Sequence, residues 1–230
     1  MAHLNEDLAT RLADVDAKIA DAARAAGRDP AELTRIVVTK FHPASMVREL
    51  YELGVRDVGE NRHQEAAAKA AEVTDLDIAW HFVGQLQSNK ARAVRRYASA
   101  VHSVDRGSLV DALAARDPGD GLLDCFVELN LTDDASRGGV QPAEADRLAE
   151  HIAATPGLRL RGVMAVAPLH TEPRGAFALV RRVSDRIRAI VPEATAISAG
   201  MSDDFTEAIN EGATHLRIGT AITGKRSTTG

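Results

Sequence analysis

Residues 36–59 read IVVTKFHPASMVRELYELGVRDVG, and the order of apolar and amphipathic segments in this stretch indicates the fold class. It opens with an apolar, β-branched run, continues with helical spacing between Pro43 and Gly54, and ends on a second apolar run. Strands that are apolar on both faces and joined through a helix pair in parallel, with right-handed crossovers. The stretch is therefore interpreted as one strand–helix–strand unit of a parallel sheet.

The same alternation continues to the C-terminal end of the sequence. The apolar runs predict eight strands: Ile36–Thr39, Arg56–Gly59, Ile78–Val83, Ala100–Val104, Leu122–Leu131, Leu160–Val166, Thr195–Ser198 and His215–Ile218. Eight such units favour a (β/α)8 TIM barrel, an α/β fold, with a doubly wound open sheet as the alternative. At 230 residues the length is near the lower end for the barrel, so we expect residues 1–230 to form a single domain.

Helices are predicted from spacing and boundary residues. An extra N-terminal helix is expected from apolar residues at helical spacing: Leu4, Leu8, Leu12, Val15 and Ile19. It should end near Gly27. Pro142 is predicted to start another helix, and Ser202 to cap a third that stops at Gly212.

Composition excludes several classes of protein. Lys plus Arg number 28 against 33 for Asp plus Glu, a net charge of −5, which does not favour a nucleic-acid partner. The single cysteine, Cys125, excludes an intramolecular disulfide and a Cys-rich metal site. The sequence shows no signal peptide and no run of the ~18 apolar residues that a membrane span needs. We therefore expect a cytoplasmic protein without a membrane partner.

Most of the predicted strands end in a polar side chain. In a barrel, chemistry collects at these carboxyl ends, where the sequence places Lys40, Glu60, Asn61, His81, Ser103, Asn130, Met164, Ser198 and Arg217. Lys40 directly follows a strand, so its amine is expected in the barrel mouth. An amine withdrawn from water there becomes nucleophilic toward aldehydes and forms a Schiff base. The alternative is a solvated lysine at the end of a strand.

The segments after the seventh and eighth strands contain glycines and hydroxyl side chains. Loops at these positions commonly hold phosphate in barrels, through backbone N–H groups near helix N-termini. The candidate segments are residues 198–202 and 217–220. Alternatively, Ser202 is only a helix cap and Gly219 only a turn. Asp203 and Asp204 would repel an anion, so its donors must be close.

Other groupings are weaker. His81 and His102 have no paired carboxylate at ligand spacing, which disfavours a metal site. A basic patch is interpreted as a solvated helix face: Lys90, Arg92, Arg95 and Arg96. The two tyrosines, Tyr51 and Tyr97, fall within predicted helices.

Five blocks in order resemble a known family: Val38–Lys40, Gly59–Asn61, Trp80–Gly84 with Gln87–Lys90, Gly200–Asp204 and Arg217–Ile222. They resemble the signature segments of the pyridoxal phosphate homeostasis proteins (the YggS/PROSC-like family), and the similarity runs from about Arg35 to Lys225. The resemblance implies a barrel of the alanine racemase N-terminal-domain type, PLP fold type III, that holds pyridoxal 5′-phosphate (PLP).

The resemblance also implies roles for individual residues. Lys40 matches the Schiff-base lysine, and Arg217 matches an arginine near the pyridine nitrogen. Ser198, Ser202, Gly219 and Thr220 match the segments on the phosphate side. Asn61, His81 and Met164 match positions that line the ring.

Three functions compete at this point. The resemblance implies a protein that buffers or delivers PLP, with apo-PLP enzymes as transient partners. An apolar-poor surface and the missing second domain favour a monomer. The alternative is an amino-acid racemase of the alanine racemase type. Its second base would be a tyrosine from an extra domain, although His81 can substitute. A cofactor-free aldolase would explain Lys40 and a phosphate site, but not the family blocks.

Overall fold

The computed structural model describes residues 6–115, 117, 119–134, 136–168 and 171–224. Leu4 and Lys225 lie outside the described residues. Within them, eight parallel strands close into a barrel in chain order, with β1 paired to both β2 and β8. The predicted (β/α)8 barrel is confirmed, and the doubly wound open sheet is wrong because the first and last strands pair.

All eight predicted strands form, with shifts of a few residues at their ends. They are β1 Thr34–Val38, β2 Asp57–Glu60, β3 Ala79–Phe82, β4 Ala100–Val104, β5 Leu123–Leu129, β6 Leu158–Ala165, β7 Ala196–Ser198 and β8 His215–Ile218. Leu122 lies outside β5 and is 58% exposed, because only the residues after it pair with β4 and β6.

Helices cover the outside of the barrel. They are α1 Glu6–Ala25, α2 Ala44–Glu52, α3 His63–Glu72, α4 Ala91–Arg95, α5 Gly107–Leu113, α6 Ala145–Ala154, α7 Pro173–Ile190, α8 Phe205–Asn210 and α9 Thr220–Thr223. Within the described residues, none of these helices has the length and apolar character that a membrane crossing requires.

Two helices start later than predicted, and Tyr97 lies outside the predicted helix. Pro142 begins a turn, and α6 starts only at Ala145. Ser202 does not cap α8, because it too lies in a turn and Asp204 occupies the cap position. Tyr97 lies in a turn after α4 rather than in a helix. Local turn chemistry delays both helices by two or three residues.

The apolar core has two parts of unequal size. The larger part lies between the strands and the surrounding helices, and the smaller one fills the barrel interior with Ala100, Phe126, Met164 and Ala196. The remaining buried side chains include polar ones from four strands, namely His81, His102, Ser198 and Arg217. Buried polar groups of this kind require hydrogen-bond partners, which fixes their orientation.

Strand register sets the height of each interior side chain. Ser198 pairs with His215, and Met164 pairs with Ser198, so these three residues lie at one level of the barrel. Arg217 is two residues further along β8 and therefore lies nearer the carboxyl ends of the strands. Ser198 and Arg217 both lie near the ends of predicted strands, but they occupy different layers of the barrel interior.

Candidate functional site

A cavity of about 270 Å³ lies at the carboxyl ends of the strands, and we call it the mouth cavity. Its size is near the low end of the range for small-molecule sites, roughly 300–1,000 Å³. The lining residues are Val38, Lys40, Asn61, Val83, Val166, Met201, Ser202, Asp203, Arg217, Gly219 and Thr220. Six residues predicted for the site are among them: Lys40, Asn61, Ser202, Arg217, Gly219 and Thr220.

A buried network fixes the backbone just before Lys40. The Thr39 hydroxyl donates to Glu60 Oε1 at 2.6 Å. Lys69 Nζ donates to the same oxygen at 2.6 Å and to the Thr39 carbonyl at 2.8 Å. These three side chains are buried, and they hold both the hydroxyl and the carbonyl of Thr39. Lys40 is thereby attached to a rigid strand end.

Burial and hydrogen bonding shift the pKa of Glu60 in opposite directions. Burial raises the pKa of Glu60, while the hydrogen bonds from Lys69 and Thr39 lower it. The second carboxylate oxygen, Glu60 Oε2, is buried and has no hydrogen-bond partner. The Lys69 ammonium therefore stabilises the ionised Glu60 carboxylate, since an isolated buried charge is costly.

Lys40 lies beyond the last residue of β1 and is exposed. The expectation of an amine withdrawn from water is therefore wrong for this structure. The chain turns directly after β1, where Phe41 has a φ of 68°. The Phe41 N–H donates to Glu65 Oε2 at 3.2 Å, which stabilises the turn. Lys40 nevertheless lines the mouth cavity.

Arg217 provides the cavity with a fixed positive charge. Its side chain is buried, with Nη1 donating to Ser198 Oγ at 2.6 Å and Nη2 donating to the Ala165 carbonyl at 2.9 Å. Burial lowers the pKa of Arg217 to about 10, while Asp204 and Glu128 raise it. The guanidinium therefore stays charged at neutral pH and cannot reorient without losing two hydrogen bonds.

The segments after β7 and β8 form the opposite wall. Gly200 has a φ of 93°, which favours glycine, and the turn that follows is closed by the Met201 N–H donating to Asp204 Oδ1 at 2.6 Å. Burial raises the pKa of Asp204, while the hydrogen bond from the Met201 N–H and the Arg217 charge lower it. Gly219 precedes α9, whose first N–H groups have no partner within the helix.

Three residues predicted to contact a ligand lie below the mouth cavity instead. His81 bonds to His102 and Asp57, and Met164 belongs to the apolar interior, against which Val166 packs. Ser198 is completely buried, and its hydroxyl is bonded to Arg217 and His102. Strand register places Met164 and Ser198 one layer below Arg217, and two hydrogen bonds hold the His81 ring inside the barrel.

The two histidines do contact each other, but not as metal ligands. His81 Nδ1 lies 2.9 Å from His102 Nε2, so these nitrogens face each other and cannot converge on a shared ion. No group of three or more His, Cys, Asp or Glu side chains that could hold a metal occurs in the described part of the polypeptide.

Several residues of the site were not predicted from the sequence. Val83, Val166 and Met201 line the cavity, although they follow the strands as ordinary apolar residues. Lys69 was missed as well. It shares a helical face with Ala66 and Val73, both buried, and a lysine at that spacing indicates a buried ion pair.

The fold and the site together define a class. The family described as "Alanine racemase, N-terminal domain" matches residues 11–227, so the barrel is of that class. Pyridoxal phosphate homeostasis proteins are similar over nearly the whole length. That of Pseudomonas aeruginosa is 42% identical and that of Escherichia coli K12 is 38% identical, with 95–97% of each chain covered. This polypeptide belongs to the pyridoxal phosphate homeostasis protein family.

Solved structures agree with this assignment. The PipY protein of Synechococcus elongatus PCC7942, solved with PLP bound, is 36% identical with a TM-score of 0.82, covering 94% of this chain and all of that one. Alanine racemase from Corynebacterium glutamicum is 15% identical with a TM-score of 0.73, which shows the fold alone. The structural match covers 98% of this chain and 62% of that racemase.

Proposed function

We propose that this protein binds PLP in the mouth cavity and buffers or delivers it in the cytoplasm, without turning over amino acids itself. The observation that carries the proposal is that one small cavity is bordered by the Lys40 amine, the Arg217 guanidinium and the turns after β7 and β8. Relatives named for PLP homeostasis and the PipY structure with PLP bound support it.

The side chains present suit PLP. Asn61 Oδ1 is buried without a partner and lines the mouth cavity, so a ligand has an acceptor available there. When bound, PLP supplies an aldehyde that condenses with a lysine amine and releases one water. Lys40 is the lysine that lines the cavity among the described residues. Ser202, Gly219 and Thr220 would hold the phosphate, and Arg217 would face the ring.

The polar groups near the mouth disfavour racemisation. A permanently charged guanidinium beside the ring nitrogen disfavours its protonation, which weakens the ring as an electron sink. A racemase also needs a second base. Tyr51 lies in α2, and the Tyr97 hydroxyl is 3.4 Å from His63 Nδ1; neither lines the mouth cavity. His81 is occupied by its hydrogen bonds inside the barrel.

Incubating the PLP-loaded protein with L-alanine, L-serine and L-threonine in deuterated water tests this directly. We expect the amino acids to keep their chirality, because proton return lacks a second base. An unrelated apo-PLP enzyme added to the loaded protein should recover activity. Rapid deuterium incorporation at Cα with loss of optical purity would contradict the buffering role and favour the racemase alternative.

Pyridoxal, which lacks the phosphate, should bind far more weakly than PLP. A hydrogen bond to a charged group contributes about 1.5–3 kcal/mol, so losing two or three of them weakens binding by at least about a hundredfold. The measurement is a pair of binding titrations followed by absorbance. Equal affinities for the two compounds would show that the turns at Ser202 and Gly219 do not hold the phosphate.

We also propose that residues 1–230 act as one domain and that the protein is a monomer. The barrel has no additional domain in its described residues to supply a partner subunit with catalytic groups. Apo-PLP enzymes are the proposed transient partners. Sedimentation analysis of the PLP-loaded protein tests the monomer, and a dimer at micromolar concentration would contradict it.

A further inference from the structure

Five side chains are hydrogen-bonded in series across the barrel interior, and we call them the axial chain. Asp57 Oδ1 lies 2.9 Å from His81 Nε2, and His81 Nδ1 lies 2.9 Å from His102 Nε2. His102 Nδ1 lies 2.8 Å from Ser198 Oγ, which accepts from Arg217 Nη1 at 2.6 Å. The axial chain therefore has no gap between its first and last residues.

The axial chain connects the two ends of the barrel. Asp57 starts β2, is one-third exposed, and lines a cavity of about 420 Å³ at the amino ends of the strands. Arg217 lines the mouth cavity at the carboxyl ends. His81, His102 and Ser198 lie between them and are buried. Two cavities on opposite faces are thus linked through hydrogen bonds alone.

Asp57 determines the direction of every bond in the axial chain. An ionised carboxylate only accepts, so neutral His81 must carry its proton on Nε2, which leaves Nδ1 as an acceptor. His102 must then donate from Nε2, and its Nδ1 must accept from the Ser198 hydroxyl. A guanidinium only donates, so Ser198 accepts from Arg217. Each of the four hydrogen bonds then contains one hydrogen when both imidazoles are neutral.

The surroundings of His102 favour its neutral state. Burial, followed by the influence of His81, Arg217 and His215, lowers the pKa of His102 well below its usual value. Burial also lowers the pKa of His215 to about 4. The charged groups that act on the axial chain or on His215 from outside it are Arg161 on β6, Asp124 and Glu128 on β5, and Asp204 at the cap of α8. A neutral His102 carries one ring N–H, which is the number that the assigned bond direction requires.

We propose that His81 and His102 are positioning residues for Arg217, and that Asp57 sets their tautomers from the opposite end of the barrel. With Asp57 ionised, the Ser198 hydroxyl points to His102 and keeps its lone pairs for Arg217. A reversed axial chain would make Ser198 accept from both neighbours, so His102 would compete with Arg217 for the same oxygen. Only the effect on PLP affinity rests on the proposed function.

The test uses Asp57→Asn, because an amide donates as well as accepts and so permits both directions. Side-chain ¹⁵N NMR of the ligand-free wild type should show His102 protonated on Nε2 at neutral pH. Asp57→Asn should shift the His102 ring nitrogens toward the other tautomer. The matched control is Asp16→Asn, which removes a carboxylate that lines the same amino-end cavity, pairs with Arg35 and lies outside the axial chain.

PLP titrations of the same proteins measure the effect on the mouth. Asp57→Asn should weaken PLP binding by roughly three- to tenfold, the range that one hydrogen bond spans. Ser198→Ala cuts the axial chain beside Arg217, so adding Asp57→Asn to it should cause no further loss. An additive loss would indicate an effect outside the axial chain and would overturn the proposal.

The remaining outcomes are also decisive. Wild-type His102 protonated on Nδ1, or unchanged His102 shifts in Asp57→Asn, would refute the assigned direction. Changed shifts with PLP affinity within twofold of wild type would refute the positioning of Arg217. Failure of the wild type to bind PLP would instead contradict the proposed function, while the NMR result on the ligand-free protein would still stand.

Discussion

Lys40→Ala is expected to abolish covalent attachment of PLP. Borohydride reduction of the loaded wild type should fix a pyridoxyl group on the Lys40 peptide, and the variant should show neither this mass nor the visible absorbance that borohydride bleaches. The reason is geometric, because Lys40 is the lysine that borders the mouth cavity among the described residues. PLP should still bind the variant weakly through its phosphate.

The fold should survive this substitution. Lys40 is exposed and lies beyond β1, so its removal leaves the core intact, and surface changes of this kind alter stability by about 0.5 kcal/mol or less. Lys90→Ala is the matched control, since Lys90 borders a neighbouring cavity that shares Asn61 with the mouth. A pyridoxyl group found mainly on Lys90 would contradict the assignment.

The barrel itself is predictable from the sequence because its signal is local. Each strand is a short apolar run, each connection has helical spacing, and eight repeats close naturally. The starts of two helices were less predictable, since turns at Pro142 and Ser202 precede α6 and α8. A residue type that starts helices also starts turns, and only the tertiary path separates the two.

The layer that a strand-end residue occupies could not be predicted. Ser198 and Arg217 both end apolar runs, but the pairing of Ser198 with His215 places Arg217 one layer higher. That difference comes from strand stagger, which closure of the whole barrel imposes. Arg217 therefore lines the mouth, whereas Ser198, His81 and Met164 lie beneath it. The sequence indicates which residues surround the site, and register decides which of them reach it.

The second large effect is expected from Lys69→Met. Lys69 and Glu60 form a 2.6 Å ion pair whose side chains are 9% and 2% exposed. Removing one partner of a buried pair leaves an uncompensated charge and costs about 3–5 kcal/mol. Urea unfolding at neutral pH should show this loss. Arg92→Met provides a control, because the Arg92–Asp117 pair is 64% and 60% exposed and should contribute about 1 kcal/mol or less.

The loss should depend on pH with a defined sign. Burial already raises the pKa of Glu60, and removing Lys69 takes away the strongest hydrogen bond that opposes this rise. A carboxyl group whose pKa is higher in the folded state destabilises the fold as pH rises above its unfolded pKa. Lys69→Met should therefore be least harmful below about pH 4, where the carboxyl group is mostly protonated in both states. Adding Glu60→Gln should restore much of the stability at pH 7, because no buried charge then remains. A penalty that is equal at both pH values, or unrelieved by Glu60→Gln, would mean that Lys69 stabilises the barrel through packing rather than through its charge.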